Sequence, residues 1–259
     1  MIIWNVNPIL FSFGAIKIHW YGVLFATSLL IAYYIGEWMF KRENKDIKLL
    51  EHLFIYIVVG LTIGARAFHV LFYDFDYYKA HPIEIFEVWK GGLASHGGFL
   101  GVIIALLLFC KRYNINFWWL ISRVSIPAIL VGAFIRLGNF FNSEIVGLPT
   151  NSNWGVVFTR VDNIPRHPVV LYESLSYFLI FFIMLYLYKK LSPNTFTKIG
   201  FASILILGFS ARFILEYFKT SQSEFANHLP LTMGQILSVP YIVAGIILLI
   251  YSIKNLKRS

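Results

Sequence analysis

The sequence predicts an all-α membrane protein of about seven transmembrane helices, and three observations carry that reading. Of its 259 residues, 58% are hydrophobic and 14% charged, whereas water-soluble domains carry about a quarter charged. The apolar residues fall in runs of about 20, long enough to cross a hydrocarbon core of roughly 30 Å. The charges gather in short clusters between those runs. Backbone groups in lipid must pair within their own segment, so the runs read as helices rather than strands.

In order, the runs are 21–40, 50–73, 93–110, 117–136, 169–188, 199–218 and 231–253. Two connections look structured. Segment 74–92 mixes Tyr, Phe and Trp with charges, as a stretch lying at headgroup level does. Segment 139–167 is long and carries several turn signals. The chain from 1 to 259 reads as a single integral domain without the internal repeats of transporters. Lys17 is the first basic residue, so no charged start precedes a short apolar core as in a cleavable signal peptide. Cys110 is the single cysteine, which excludes an intramolecular disulfide.

Lys and Arg distribute unequally between alternate connections. One side carries twelve: Lys41, Arg42, Lys45, Lys48, Lys111, Arg112, Lys189, Lys190, Lys198, Lys254, Lys257 and Arg258. The other carries six: Lys17, Lys79, Lys90, Arg160, Arg166 and Lys219. The richer side is expected in the cytoplasm, which places the N-terminus outside and the C-terminus inside. The net charge of +9 therefore reads as loop charge and not as a nucleic-acid surface.

Four arginines lie in or at the ends of the runs, where a guanidinium costs a few kcal/mol even on lenient insertion scales. Arg66, Arg136 and Arg212 fall in outer halves of their helices. Arg123 lies nearer an inner end and is expected to snorkel. Tyr21, His96, Arg166, Glu173 and the Met233-Gly234-Gln235 element open helices on the same outer side. The expectation is a polar site reached from the outer leaflet. Its densest element runs Arg136-Leu137-Gly138-Asn139-Phe140-Phe141-Asn142-Ser143-Glu144-Ile145-Val146-Gly147. Arginine offers a planar fork suited to phosphate, Asn139 and Asn142 supply donors and acceptors, and Glu144 can hold an arginine in position.

Each of these residues also has a plainer reading. His96 can be an interfacial histidine with a backbone partner. Arg66, one turn from His69, can brace its helix. Arg212 and Glu216 can form a structural ion pair. Arg166 can be solvated in its loop, and Tyr172 and Glu173 can be an interfacial anchor and a helix-start charge. An intramembrane protease would need a Ser–His or paired-Asp arrangement, and no Gly-x-Ser-x-Gly element occurs.

The Arg136–Gly147 stretch resembles the signature of the prolipoprotein diacylglyceryl transferases, Gly/Arg-x-Gly-Asn-Phe-x-Asn-x-Glu followed by Gly. Further landmarks of that family follow in register: Trp20-Tyr21-Gly22, Gly64-Ala65-Arg66, His96-Gly97-Gly98, Arg166-His167-Pro168 with Leu171-Tyr172-Glu173, Arg212-Phe213 with Glu216, and Met233-Gly234-Gln235. The resemblance implies an inner-membrane enzyme of bacteria that takes phosphatidylglycerol and a prolipoprotein. It would move the diacylglyceryl group to the thiol of the lipobox cysteine beside the signal peptide, form a thioether and release glycerol 1-phosphate, without cofactor or metal. It makes His96 the base and gives Arg136 and Arg212 the phosphate. Tyr21 joins them as a catalytic residue, and Asn139, Asn142, Glu144, Gly147, Arg66, Arg166 and Glu216 line the substrate. Two departures stand out: Gly208 occupies a position where family members often carry Tyr, and the 148–165 stretch is short. The rival reading is an outward-facing protein that binds or transports anionic lipids or other anions.

Overall fold

A computed structural model of the chain describes residues 2–14, 16–220 and 231–256. Lys257 and Arg258, counted above with the inner clusters, lie outside the described residues. Among the described residues, seven helices are long and apolar enough to cross a membrane, as the hydropathy pattern predicts. They are α1 (Trp20–Arg42), α2 (Ile47–Phe72), α4 (Ser95–Tyr113), α5 (Phe117–Asn142), α6 (Val169–Lys190), α7 (Pro193–Leu215) and α8 (Met233–Leu256). A short α3 (Phe75–Ala80) lies between α2 and α4.

Helix ends differ from the apolar runs where polar caps extend them. α2 begins at Ile47 because the Asp46 side chain accepts from the Lys48 amide at 2.9 Å. α7 begins at Pro193, six residues before its apolar run, with Ser192 accepting from the Thr195 amide at 3.2 Å. α5 runs to Asn142, so Asn139 and Asn142 ride on a helix and not on the outer connection. Short strands also form: β1 (Ile2–Trp4), β2 (Ile9–Phe13), β3 (Ile16–His19), β4 (Val156–Phe158) and β5 (Pro165–Arg166). β1 pairs parallel with β4, β4 pairs antiparallel with β5, and β2 and β3 form a hairpin.

Contacts divide the chain into two compact units, Met1–Ile35 with Ser122–Ser259, and Gly36–Ile121. In the second unit, α2 and α4 meet through glycines. A Cβ on Gly60 would come within 2.7 Å of Ala105 Cβ, and one on Gly101 within 2.9 Å of Gly64 Cα. Gly64 and Gly97 meet backbone to backbone, closer still. Two small-xxx-small stripes, Gly60/Gly64 and Gly97/Gly101, therefore let the helix backbones touch. Within α2, Arg66 is 4% exposed and clamps the 74–92 segment. Its Nε donates to Ile85 O at 2.8 Å, Nη1 to Gly91 O at 2.7 Å and Gly92 O at 3.1 Å, and Nη2 to Glu84 O. The Tyr78 ring lies beneath it at 4.7 Å. His69 pairs with Asp74 at 2.9 Å rather than working with Arg66. Ile83, Phe86 and Trp89 remain outward and exposed.

In the first unit, Phe140 at the end of α5 joins Val156 and Phe158 of β4 and Val169 and Val170 of α6 in a buried cluster, with Trp4 packed on it. Trp4 and Phe140 ring centres are 4.2 Å apart. The Ser174 hydroxyl donates to Ala133 O at 2.9 Å, which ties α6 to α5. Arg123 does not snorkel. It is 2% exposed because the early start of α7 closes over it. Its Nη1 donates to Ser122 and Thr197 hydroxyls at 2.8 and 2.5 Å, and its Nη2 to Pro193 O at 2.9 Å.

A bulky residue in the glycine stripe should part α2 from α4. Gly101→Val is expected to destabilise the folded protein by at least about 2 kcal/mol, and Gly22→Ala, with open space around it, by far less. Thermal unfolding of both purified variants checks the contrast.

Candidate active site

The residues of the Arg136–Gly147 stretch converge through the end of α5. Arg136 and Asn139 share one helical face, and Arg136 Nη1 donates to Asn139 Oδ1 at 3.1 Å. Asn139 is 7% exposed and its Nδ2 donates to Glu144 Oε2 at 2.7 Å, while Asn142 Nδ2 donates to Glu144 Oε1 at 3.1 Å. Glu144 can fold back onto the helix because its neighbours turn left-handed, Ser143 at φ 56° and Ile145 at φ 54°. Its amide then donates to Asn139 O at 2.9 Å.

Arg136 also reaches α6. Its Nε lies 2.9 Å from Glu173 Oε2, and the other oxygen of that carboxylate lies 2.7 Å from Lys219 Nζ. Glu173 is fully buried. Lys219 follows the single turn Glu216–Phe218 and lies 3.4 Å from Glu216 Oε2. Glu216 therefore pairs with Lys219, and no ion pair joins it to Arg212 among the described residues. A Cβ on Gly234 would collide with the Glu216 carboxyl, so a side chain there would displace that carboxyl from its place beside Lys219. Arg212, in the last turn of α7, comes within electrostatic reach of Tyr177, as do Arg136 and Glu173. Tyr21 lies on Gly138, where a Cβ would stand 2.6 Å from its ring, and it feels the charges of Glu144 and Arg136. Gly138 is thus a seat for Tyr21.

Two expected substrate contacts are occupied by the protein itself. Arg166 donates to Asp162 Oδ2 from Nε at 2.9 Å and Nη2 at 2.6 Å, and to Gly147 O at 3.1 Å. It braces the loop rather than standing solvated. Gly147 bridges to Lys219, its amide donates to His167 O at 3.1 Å, and a Cβ there would stand 2.8 Å from Phe218 O. Its smallness allows three strands of chain to meet.

His96 and Arg66 belong to the other unit. His96 is the second residue of α4 and exposed, with the Phe68 ring 6.5 Å away. It has no hydrogen-bond partner among the described residues. Its flanking Gly97 and Gly98 pack on α2, against Gly64 and Leu61, so they serve helix packing rather than the imidazole. Arg66, expected on the substrate, has its fork closed by carbonyls, as described above.

Lys219 and Tyr177 were not expected at the site, and Glu173 was expected on its side of the helices but not as the partner of Arg136. The sequence places Glu173 at a helix start and Lys219 in a connection, and nothing local signals that the two meet around Arg136.

A model of the prolipoprotein diacylglyceryl transferase family matches residues 8–251. Proteins named phosphatidylglycerol–prolipoprotein diacylglyceryl transferase are similar throughout. That of Tolumonas auensis is 48% identical over 259 residues, covering 100% of both chains. That of Chloroherpeton thalassium is 46% identical, covering 98% of this chain and 95% of its own. That of Bacteroides fragilis is 40% identical, covering 94% and 92%.

The Arg166–Asp162 brace has a defined acid limit. The guanidinium, and then the Ile164 amide, hold the Asp162 carboxyl below its ordinary value of 3.8. A depressed folded value means that the pair stabilises the fold above the ordinary value and loses that contribution as pH falls through the folded one. The difference in unfolding temperature between wild type and Asp162→Asn should therefore hold steady above about pH 5 and shrink towards about pH 2. Unfolding scans across that range test it.

Proposed function

The chain belongs to the prolipoprotein diacylglyceryl transferase family, and from that premise we propose that it moves the diacylglyceryl group of phosphatidylglycerol onto the lipobox cysteine of a prolipoprotein. The substrate thiolate attacks the glyceryl carbon that carries the phosphate ester. A C–S bond forms, the C–O bond breaks, and glycerol 1-phosphate departs with the electron pair. The thiol proton passes to a base. Thiolate is the nucleophile, so Cys110, buried in α4, takes no part.

One observation carries the assignment of the phosphate. Arg136 stands within a membrane-spanning helix with its Nε at ion-pair distance, 2.9 Å, from a buried carboxylate that Lys219 also neutralises. An arginine so held keeps its charge and aims its fork. Arg212, the second cation near Tyr177, would share the charge developing on the leaving phosphate, an electrostatic role of the largest kind in such reactions. Asn139, Asn142 and Glu144 orient Arg136 and the glycerol headgroup, with the Tyr21 hydroxyl beside them. Glu216 and Gly147 set Lys219 in place. His96, an exposed imidazole without a hydrogen-bond partner among the described residues, is the group proposed to take the thiol proton. Arg66 and Arg166 hold the frame. The twelve-to-six imbalance of Lys and Arg supports an N-terminus outside and a site opening to the outer leaflet of the bacterial inner membrane.

Purified protein given phosphatidylglycerol and a lipobox peptide should yield thioether-linked diacylglyceryl peptide and glycerol 1-phosphate. Arg136→Ala should lower kcat/KM by about a hundredfold or more with the fold intact. No product from the wild type, or full activity in the variant, rejects the phosphate assignment. His96→Gln should remove most of the turnover, and a fully active His96→Gln enzyme would move the base elsewhere. Tags should place the N-terminus outside; a cytoplasmic N-terminus would turn the site to the wrong compartment.

A further inference from the structure

The buried carboxylate beside Arg136 poses a charge problem. Glu173 is fully buried, and a carboxylate of unit charge in contact with one guanidinium cancels it. A lipid phosphate would then meet a neutral pair. Lys219 changes the sum. Its ammonium lies 2.7 Å from the second Glu173 oxygen and is 7% exposed, so little water screens it. Glu216, 3.4 Å from the same ammonium and 15% exposed, is the looser and wetter partner.

We infer that Lys219 is a positioning residue for Arg136 that acts through Glu173: it takes up the carboxylate's charge, so that Glu173 can orient the guanidinium without neutralising it. The chain builds this placement deliberately. Lys219 bridges to Gly147 and its amide donates to Glu216 O at 3.2 Å, so the loop that carries Glu144 also fixes the lysine. The inference rests on the phosphate role proposed for Arg136 and adds how that charge is kept available.

The test measures KM for phosphatidylglycerol and kcat separately in variants whose folding is checked by thermal unfolding. Lys219→Met should raise KM on the order of tenfold, with kcat changed less, as removal of one nearby cation from a partly screened anion site does. Lys219→Arg should restore KM to within a few-fold. Adding Glu173→Gln to Lys219→Met removes the carboxylate charge along with the lysine, and should bring KM back down. A merely structural role would leave KM unmoved in folded Lys219→Met, and that result overturns the inference. Where Lys219→Met does not fold, the double variant, which no longer holds a carboxylate at position 173 without its lysine, carries the test. Its KM should lie near that of Lys219→Arg, and a KM far above it overturns the inference. Full activity of Arg136→Ala in the same assay would strike the premise instead, and so separates the two failures.

Discussion

A carboxylate shut away from water between two cations is the constraint on which the first unit depends. Burying an ion costs several kcal/mol after relaxation, and only close partners of opposite charge offset it. Glu173 has two: Arg136 on α5 and Lys219 beyond α7. The ends of three helices must therefore come to one place and stay there. The small features around them serve that end. Ser174 ties α6 to α5, Gly147 lets the loop, His167 and Phe218 meet, and Gly234 leaves room for the Glu216 carboxyl.

The intramembrane and interfacial arginines separate by what they touch. Arg66 and Arg123 each donate several hydrogen bonds to carbonyls or hydroxyls of the protein itself. Both become fasteners, one for the outer segment and one for the start of α7. Arg166 is closed by a carboxylate. Arg136 differs, because its carboxylate is shared with a second cation and it also meets the amide oxygen of Asn139 and the side chain of Tyr177. Sequence position could not make this distinction, since all lie beside apolar runs. Partner chemistry does.

Much of the fold was legible, and its failures have causes. Hydropathy found all seven helices because lipid imposes length and composition directly. It missed the start of α7 because Asn194, Thr195, Thr197 and Lys198 are polar, although Ser192 and Pro193 carry a cap signal. It cut α5 at Arg136 for the same reason. Strands of two to five residues are too short to show alternation. At the site, Asn139, Asn142 and Glu144 were readable because their contacts are local along one helix end. The pairing of Glu173 with Arg136 and Lys219 was not, because it is made by tertiary structure alone. Gly97 and Gly98 follow His96 in the chain, yet their surroundings are the helix packed against them.

The turn after α5 shows how firmly this arrangement is set. Two successive-but-one residues with side chains, Ser143 and Ile145, adopt left-handed backbone, at about 1–2 kcal/mol each. Ile145 is β-branched, the least tolerant class for such a conformation. A glycine would relieve the strain, yet it would also surrender the Ile145 side chain, which packs against the Phe140, Val156 and Val169 cluster. The strain persists because three independent contacts over-determine it: that cluster, the Glu144 amide on Asn139 O, and the two asparagine amides on the Glu144 carboxylate. Strain held in this way is characteristic of sites where position matters more than stability. It places Glu144 on Asn139 and Asn139 on Arg136, and so carries the rigidity of a folded turn to that guanidinium.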